Sequence, residues 1–425
     1  MTQHSTGTRT RLPEQGRPWH ELRADMEDMR RHDADWRKGR TSLHVYHPGD
    51  EVLDVARQAY GMFMSENALA PAAFPSVSRM EEEVVDMALS LLGGGDKASG
   101  SMTSGGTESI ILAVRTAWRA FRQERHPRSR SRPHLLLAAS AHPAWDKAAE
   151  LMGLAVVRFP LAADHRACLA ELEKRIAPDT VMVVASAPCL PFGTVDPVEQ
   201  MASIARAHDV WLHVDACLGG FLAPHVAALR PGIPRFDLSV PGVRSLSADL
   251  HKFGYAAKGA SVLLYADRGD HQWQPFEFGD WPKGLYKTTT LAGTRPGGAV
   301  ASAWAVMHYL GHQGYRDIAR RVMRTRDRYI EGLLAIPGFQ LLGSPPLSVL
   351  AFTSDAWDIH AIGDAMQARQ WYISRLSAPP ALHLTVSPAH EHAVDDYLDD
   401  LARIVRQGAM PRQTIAGTPR QVVTY

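Results

Sequence analysis

Cysteine is scarce in this chain: Cys168, Cys189 and Cys217 are the only three in 425 residues. The number is odd and no pair has metal-ligand spacing, which excludes a disulfide scaffold and a cysteine metal site and predicts a reducing compartment. No apolar run approaches the roughly 18 residues that a membrane helix needs, so no span is predicted. Residues 1–20 contain no apolar core of a secretory leader. Net charge is also missing. Lys+Arg 46 against Asp+Glu 45 leaves +1, so no global field favours nucleic acid or an anionic membrane. Together these absences predict a soluble, cytoplasmic protein.

What is present is the composition of a globular protein, with 45% hydrophobic and 21% charged residues. The length exceeds the roughly 250–300 residues at which single cores divide. Three parts are expected: an N-terminal arm and segment (1–75), a large domain (76–314) and a small C-terminal domain (315–425). Residues 1–19 read as a mobile arm and 21–37 as a charged helix. A helix is expected from Ser78, with Glu81 at capping-box spacing and an apolar face through Met80, Val84, Met87 and Leu91. Short apolar runs at 135–139, 155–158, 181–186, 210–214, 245–247 and 261–265 read as strands, several apolar throughout as in buried parallel sheets. Helices at 144–152 and 198–207 supply crossovers. The large domain is therefore predicted to be α/β with ligands at the carboxyl ends of its strands. After residue 315 a long charged helix, strands near 349–352 and 382–386 and a helix beyond Pro388 predict a smaller α+β domain.

Three segments carry chemistry. Thr103-Ser104-Gly105-Gly106-Thr107-Glu108-Ser109 leads into a helical face, so glycines and hydroxyls sit at a helix N-terminus, where free N–H groups and the dipole favour an anion. It is not a nucleoside-triphosphate loop, because Gly-Lys-Ser/Thr is absent. Alone, it is equally an ordinary capped helix. His213-Val214-Asp215-Ala216-Cys217 follows a predicted strand and places Asp215 at its carboxyl end, as a site carboxylate or as a loop cap. Cys217 has no assigned base and reads as a small buried residue. Ser247-Ala248-Asp249-Leu250-His251-Lys252-Phe253 sets a lysine beside a histidine and an aromatic, between two strands. Such an amine is expected to be partly desolvated and to have its pKa lowered, as Schiff-base chemistry needs. A phosphate cradle, a carboxylate and an activated lysine are what pyridoxal 5′-phosphate requires: Lys252 to form an imine with the aldehyde, Asp215 to keep the pyridine nitrogen protonated. Their order along the chain is that of a fold-type I enzyme of the pyridoxal-phosphate class.

These segments, with His142-Pro143-Ala144-Trp145-Asp146-Lys147, His213 to Phe221 and Leu291-Ala292-Gly293-Thr294-Arg295-Pro296-Gly297-Gly298, resemble the sphingosine-1-phosphate lyase family within the group II pyridoxal-phosphate decarboxylases, from about residue 39 to 315. The resemblance implies His142 stacked on the cofactor ring. Gly105, Gly106, Thr107 and His251 correspond to the phosphate cradle. Thr294 matches a serine that reaches the phosphate from a neighbouring subunit, which implies a homodimer with shared sites. Tyr46 and Lys258 match positions that hold the substrate's own phosphate; without the resemblance they are a packing aromatic and a loop lysine. The chain departs from the pattern at Ala70, where a histidine is usual, at Leu250 and Phe253, and at Leu190, where a larger aromatic is usual. The expected activity is carbon–carbon cleavage of a phosphorylated amino alcohol to an aldehyde and an amine, with Lys252, Asp215 and His142 as the catalytic residues. Amino-acid decarboxylation uses the same machinery and is the alternative. An inactive scaffold would not need all three side chains. No metal is expected.

Overall fold

The structure, a computed structural model, describes residues 9–125 and 132–408. It opens with helices α1 (Trp19–Met29), α2 (Asp50–Met62) and α3 (Pro75–Leu91). The large domain continues with β1 (Ser99–Thr103), α4 (Gly106–Arg125), β2 (His134–Ala138), α5 (Ala144–Met152), β3 (Ala155–Phe159) and α6 (Leu169–Arg175). Next come β4 (Thr180–Ser186), α7 (Val198–Ala207), β5 (Trp211–Asp215), α8 (Ala223–Ala227), β6 (Val243–Ala248) and β7 (Ser261–Tyr265). A short helix α9 (Arg268–His271) precedes the hairpin β8 (Phe276–Phe278) and β9 (Tyr286–Thr288). The long helix α10 (Gly297–Ala335) leads to β10 (Phe339–Leu341), β11 (Val349–Ser354), α11 (Ile359–Gln367), β12 (Ser374–Ser377), β13 (Pro380–Thr385) and α12 (Val394–Arg406).

Seven strands form the central sheet in the order β1-β7-β6-β5-β4-β2-β3. Neighbours from β6 to β3 are parallel, and only β7 runs against the rest. The expected mainly parallel α/β architecture is therefore present. The chain moves from β2 out to β3, then reverses to β4, β5 and β6, and that reversal opens a crevice at the strands' carboxyl ends. In β5, alternation places Leu212 and Val214 on one face of the sheet and Trp211, His213 and Asp215 on the other. The first pair joins the main core, and Trp211 joins the cluster beneath α4 and α5. A four-stranded antiparallel sheet, β10-β11-β13-β12, builds the small domain, with Phe352, Leu382 and Leu384 in its core.

Helix α10 bridges the two parts. Its first half packs on α2 and α3, a left-handed Gly311 (φ 51°) kinks it, and Tyr315 to Met323 still join the large-domain core. Tyr329 and Leu333 belong to the small-domain core. The segment before α2 straps the domains together: Tyr372 N–H donates to the Arg40 carbonyl at 2.8 Å and Thr385 N–H to the Ser42 carbonyl at 2.9 Å.

Several local expectations shift. The charged N-terminal helix ends at Met29 and continues as short 3₁₀ turns. Ser78 lies inside α3 rather than at its start, because Pro75, with its fixed φ and missing N–H, already suits the first helical turn. Strand β1 was not expected, since Ser99-Gly100-Ser101-Met102-Thr103 has little apolar signal. Part of the expected mobile arm, residues 1–8, lies outside the described residues.

Three histidines are buried, His213, His225 and His383, and His271 is half-buried; desolvation lowers each of the four to about 4. The unfolded chain takes up protons at these imidazoles near pH 6.5, whereas the folded chain resists until about pH 4, so stability falls as pH drops through that window. The slope reaches about 1.4 kcal/mol per pH unit for each histidine. Buried Asp196, pushed up to about 6, opposes the trend for one proton. Thermal melts from pH 7 to 4.5 should show a steady fall in Tm; a flat profile would contradict this burial.

Candidate active site

At the crevice lies a cavity of about 490 Å³, within the usual range for small-molecule sites. Gly105, Gly106, Thr107, His142, Asp215, His251, Lys252, Tyr46 and Lys258 all line it. They come from five segments: the turn into α4, the loops after β2 and β6, the end of β5, and the strap before α2. Asp215 is the last residue of β5, Lys252 lies four residues after β6, and His142 follows β2.

Lys252 Nζ stands 2.8 Å from Asp249 Oδ2, and the Asp249 side chain is only 2% exposed. Burial lowers the lysine pKa, the direction expected from the sequence, but Asp249, joined by Cys217 and Tyr46, reverses that direction and holds the ammonium above its ordinary value. Burial likewise pushes Asp249 up, and Lys252 with His251 more than reverses it, leaving the carboxylate ionised. Asp249 also accepts from the Ser261 hydroxyl. The sequence pattern showed Asp249 without giving it a role. Its spacing, three residues before Lys252 in a tight turn, was the available signal.

Asp215 receives two N–H donors, Trp145 Nε1 on Oδ2 and the Cys217 backbone on Oδ1, each at 3.2 Å. Both oxygens thus act as acceptors, the role of an ionised carboxylate. Trp145 is a second residue whose part was not foreseen. At His142, Ala144 N–H donates to Nδ1 at 3.1 Å, so the ring's remaining proton sits on Nε2. Burial lowers its pKa, which favours the neutral ring. His251 donates from Nδ1 to the Ala260 carbonyl at 2.7 Å and turns Nε2 toward Asp249 at 3.7 Å.

The glycine loop closes one side. Glu108 folds back to accept from Ser104 N–H at 2.7 Å and also takes Leu291 N–H at 2.8 Å. The next N–H groups belong to the first turn of α4 and have no partner within the helix. A Cβ at Gly106 would meet Cys217 Sγ at 2.9 Å and the Asp249 carboxylate at 3.0 Å, so only glycine fits there. Buried Cys217 has its thiol pKa pushed well up by burial and is no nucleophile.

Lys258 donates from Nζ to the carbonyls of His44 at 3.0 Å and His251 at 3.4 Å, and sits 5.5 Å from the Tyr46 ring. Burial lowers its pKa and raises that of Tyr46 to about 12, so the phenol remains a neutral donor. Thr294 is not brought to this cavity. It is exposed and accepts from Asn67 Nδ2 at 3.3 Å. Ala70 also lies away, in a turn beside that loop, whereas Leu190 is on the cavity wall. Among the described residues no cluster could hold a metal ion. The donor set suits a flat, phosphorylated aldehyde: a lysine to bind its carbonyl, a carboxylate to bind a ring N–H, and a glycine cradle that a Cβ would fill.

The comparisons with known proteins agree with that geometry. The model of the pyridoxal-dependent decarboxylase conserved domain matches residues 3–354. A sphingosine-1-phosphate lyase of Oryza sativa is 38% identical over 401 residues, 92% of this chain and 74% of the relative. One of Arabidopsis thaliana is 39% identical over 393 residues, 91% of this chain and 72% of the relative. The solved sphingosine-1-phosphate lyase of Burkholderia pseudomallei superposes with a TM-score of 0.90 at 38% identity, covering 95% of this chain and 94% of that one.

Asp249→Asn removes the charge that outweighs burial at Lys252. In pH titrations of cofactor attachment, the midpoint should move to lower pH than in the wild type. An unchanged midpoint would contradict the pairing.

Proposed function

The chain belongs to the pyridoxal-dependent decarboxylase family, and we propose that within it this protein is a carbon–carbon lyase that cleaves a phosphorylated amino alcohol to an aldehyde and an amine. It is an enzyme of fold type I, and its cofactor is pyridoxal 5′-phosphate. When bound, the cofactor supplies a conjugated ring that takes up the electron pair released as a bond at the amine-bearing carbon breaks.

The chain's own residues divide the remaining work. Asp215, held by Trp145 and the Cys217 N–H, keeps the ring nitrogen protonated. His142 presents a flat neutral imidazole to the ring face. Gly105, Gly106 and Thr107 offer N–H groups and a hydroxyl to the phosphate, with His251 alongside. Lys252 would hold the cofactor's aldehyde, and its amine, beside Asp249, would move a proton at the substrate's amine-bearing carbon. Tyr46 and Lys258 bind the substrate's phosphate.

The observation that carries the lyase reading is cationic. Lys258 enters the same cavity as Lys252 and has two of its three N–H groups on carbonyls, leaving one for an anionic substrate group. Decarboxylation of an amino acid, named in the family description, would set its carboxylate on the same cation and is the second reading; the sphingosine-1-phosphate lyases at 38 and 39% identity favour the lyase. Aldehyde released from a phosphorylated amino alcohol, with no carbon dioxide from amino acids, supports the lyase. Lys252→Ala should lose at least about 10³-fold in turnover. Carbon dioxide without aldehyde would replace the lyase by the decarboxylase.

A homodimer with shared sites completes the reading. The β8–β9 hairpin exposes Phe276, Phe278 and Trp281, and neighbouring Leu291 is also exposed. Helix α1 buries no residue of its own. Isolated apolar faces of this kind favour a covering partner, and a second copy covering the hairpin would carry Thr294 to the other phosphate cradle. Thr294→Ala should weaken cofactor binding about tenfold, the loss of one hydrogen bond to a charged group, and the wild type should elute as a dimer. A monomeric wild type would refute the sharing.

A further inference from the structure

Cleavage between an amine-bearing carbon and its hydroxyl-bearing neighbour moves protons at two places. At the hydroxyl, the O–H bond gives up its proton and the oxygen closes a C=O bond as the carbon–carbon bond breaks. The electron pair of that bond stays with the amine-bearing carbon, which then takes a proton. Lys252 serves the carbon. The oxygen requires a second group, and decarboxylation does not.

Most titratable side chains around the cavity are already committed. His142 has its Nδ1 lone pair on the Ala144 N–H, and His251 gives its Nδ1 proton to the Ala260 carbonyl while Nε2 faces Asp249. Glu108 accepts from the Ser104 and Leu291 N–H groups, and Asp215 from Trp145 and Cys217. Asp249 holds Lys252 and the Ser261 hydroxyl, and Lys258 donates to two carbonyls. Burial pushes up the Cys189 and Cys217 thiols and the Tyr46 phenol, so they keep their protons at neutral pH.

His44 differs. It lines this cavity and also a second cavity of about 470 Å³ beside it, so it stands at the boundary between them. Its ring lies edge-on to Tyr372, with centroids 6.2 Å apart, and among the described residues neither ring nitrogen has a hydrogen-bond partner. Desolvation, followed by the charges of Lys258 and Lys252, lowers its pKa, so one nitrogen carries a free lone pair at neutral pH.

The backbone is shaped to present that ring. Val45 N–H donates to the Leu43 carbonyl at 2.9 Å and closes a three-residue turn with His44 at its apex. His44 adopts φ +68°, in the left-handed region that is unfavourable for a residue with a Cβ. The turn is anchored on both sides. The Ser42 carbonyl takes the Thr385 N–H, the His44 carbonyl takes Lys258 Nζ at 3.0 Å, and Tyr46 packs edge-on against Phe253 with centroids 4.9 Å apart. Strain of this kind persists only where surrounding contacts over-determine it, and it collects at functional sites.

We propose that His44 is the general base of the cleavage, its imidazole accepting the proton of the substrate hydroxyl as the carbon–carbon bond breaks. The imidazolium then releases that proton to water, and Lys252 supplies the proton that the amine-bearing carbon takes up. This rests on the reading of the protein as a lyase for a phosphorylated amino alcohol.

Two reactions of the holoenzyme test it. Aldehyde release from a phosphorylated amino alcohol needs both groups, whereas exchange of the product amine's carbon-bound hydrogen for solvent deuterium needs Lys252 and not the hydroxyl base. His44→Asn tolerates a left-handed backbone and has no basic nitrogen. It should lose at least about 10²-fold in aldehyde turnover while exchanging deuterium within about threefold of wild type. His44→Gly, for which φ +68° carries no strain, should show the same split and keeps the test decisive if the first variant does not fold. Cleavage at the wild-type rate in either folded variant, or equal losses of cleavage and exchange, overturns the assignment and leaves the lyase reading standing. Wild-type holoenzyme that exchanges deuterium yet releases no aldehyde overturns the lyase reading, and this base with it, before any variant is made.

Discussion

The ion pair between Lys252 and Asp249 is the constraint around which the site is organised. Removing two charges from water is costly, and their attraction repays it only when the remaining lone pairs are also filled. Asp249 meets that condition through the Lys252 ammonium and the Ser261 hydroxyl. Ser261 opens β7 and lies 3.3 Å from the Ser109 hydroxyl in α4, which contacts Thr103 at the end of β1 at 2.7 Å. The pair thus links β1, α4 and β7 to the turn after β6. The close approach of Gly106 to the same carboxylate follows from it.

On this base the protein separates rigid from adjustable parts. Lysine, carboxylates and glycine cradle sit on strand ends and a helix start, with backbones held by the sheet. Tyr46, His44 and Leu43 come instead from the strap before α2, which is tied to the small domain at Thr385 and Tyr372. The groups proposed to contact the cofactor therefore belong to the scaffold, whereas the substrate meets both the scaffold, at Lys258 between β6 and β7, and the joint between domains, at Tyr46. Such a division lets one cofactor geometry serve several substrates, because changes at positions such as Leu190 leave the lysine and carboxylate untouched.

Much of this was legible in the sequence, for definite reasons. The apolar strands and their crossovers stand out because strands buried on both faces need uninterrupted apolar runs. The motif residues at 105–107, 142, 215, 251 and 252 line one cavity because each follows a strand or opens a helix at the same sheet edge. What was not legible depends on partners distant in the chain. Asp249 and Trp145 gain their roles only when folding places Lys252 and Asp215 beside them. Strand β1 is polar in sequence and becomes a strand through its pairing with β7. The Gly311 kink was hidden because glycine is compatible with a helix as well as a break. The second cavity joins residues near 43, 190 and 373, which no motif connects.

The most direct measurement is to load the purified protein with pyridoxal 5′-phosphate, reduce it with borohydride and map the modified peptide. A visible absorption band that reduction removes is expected, with a stable cofactor adduct on the peptide containing Lys252. A protein that remains colourless, or an adduct on a different lysine, would contradict it.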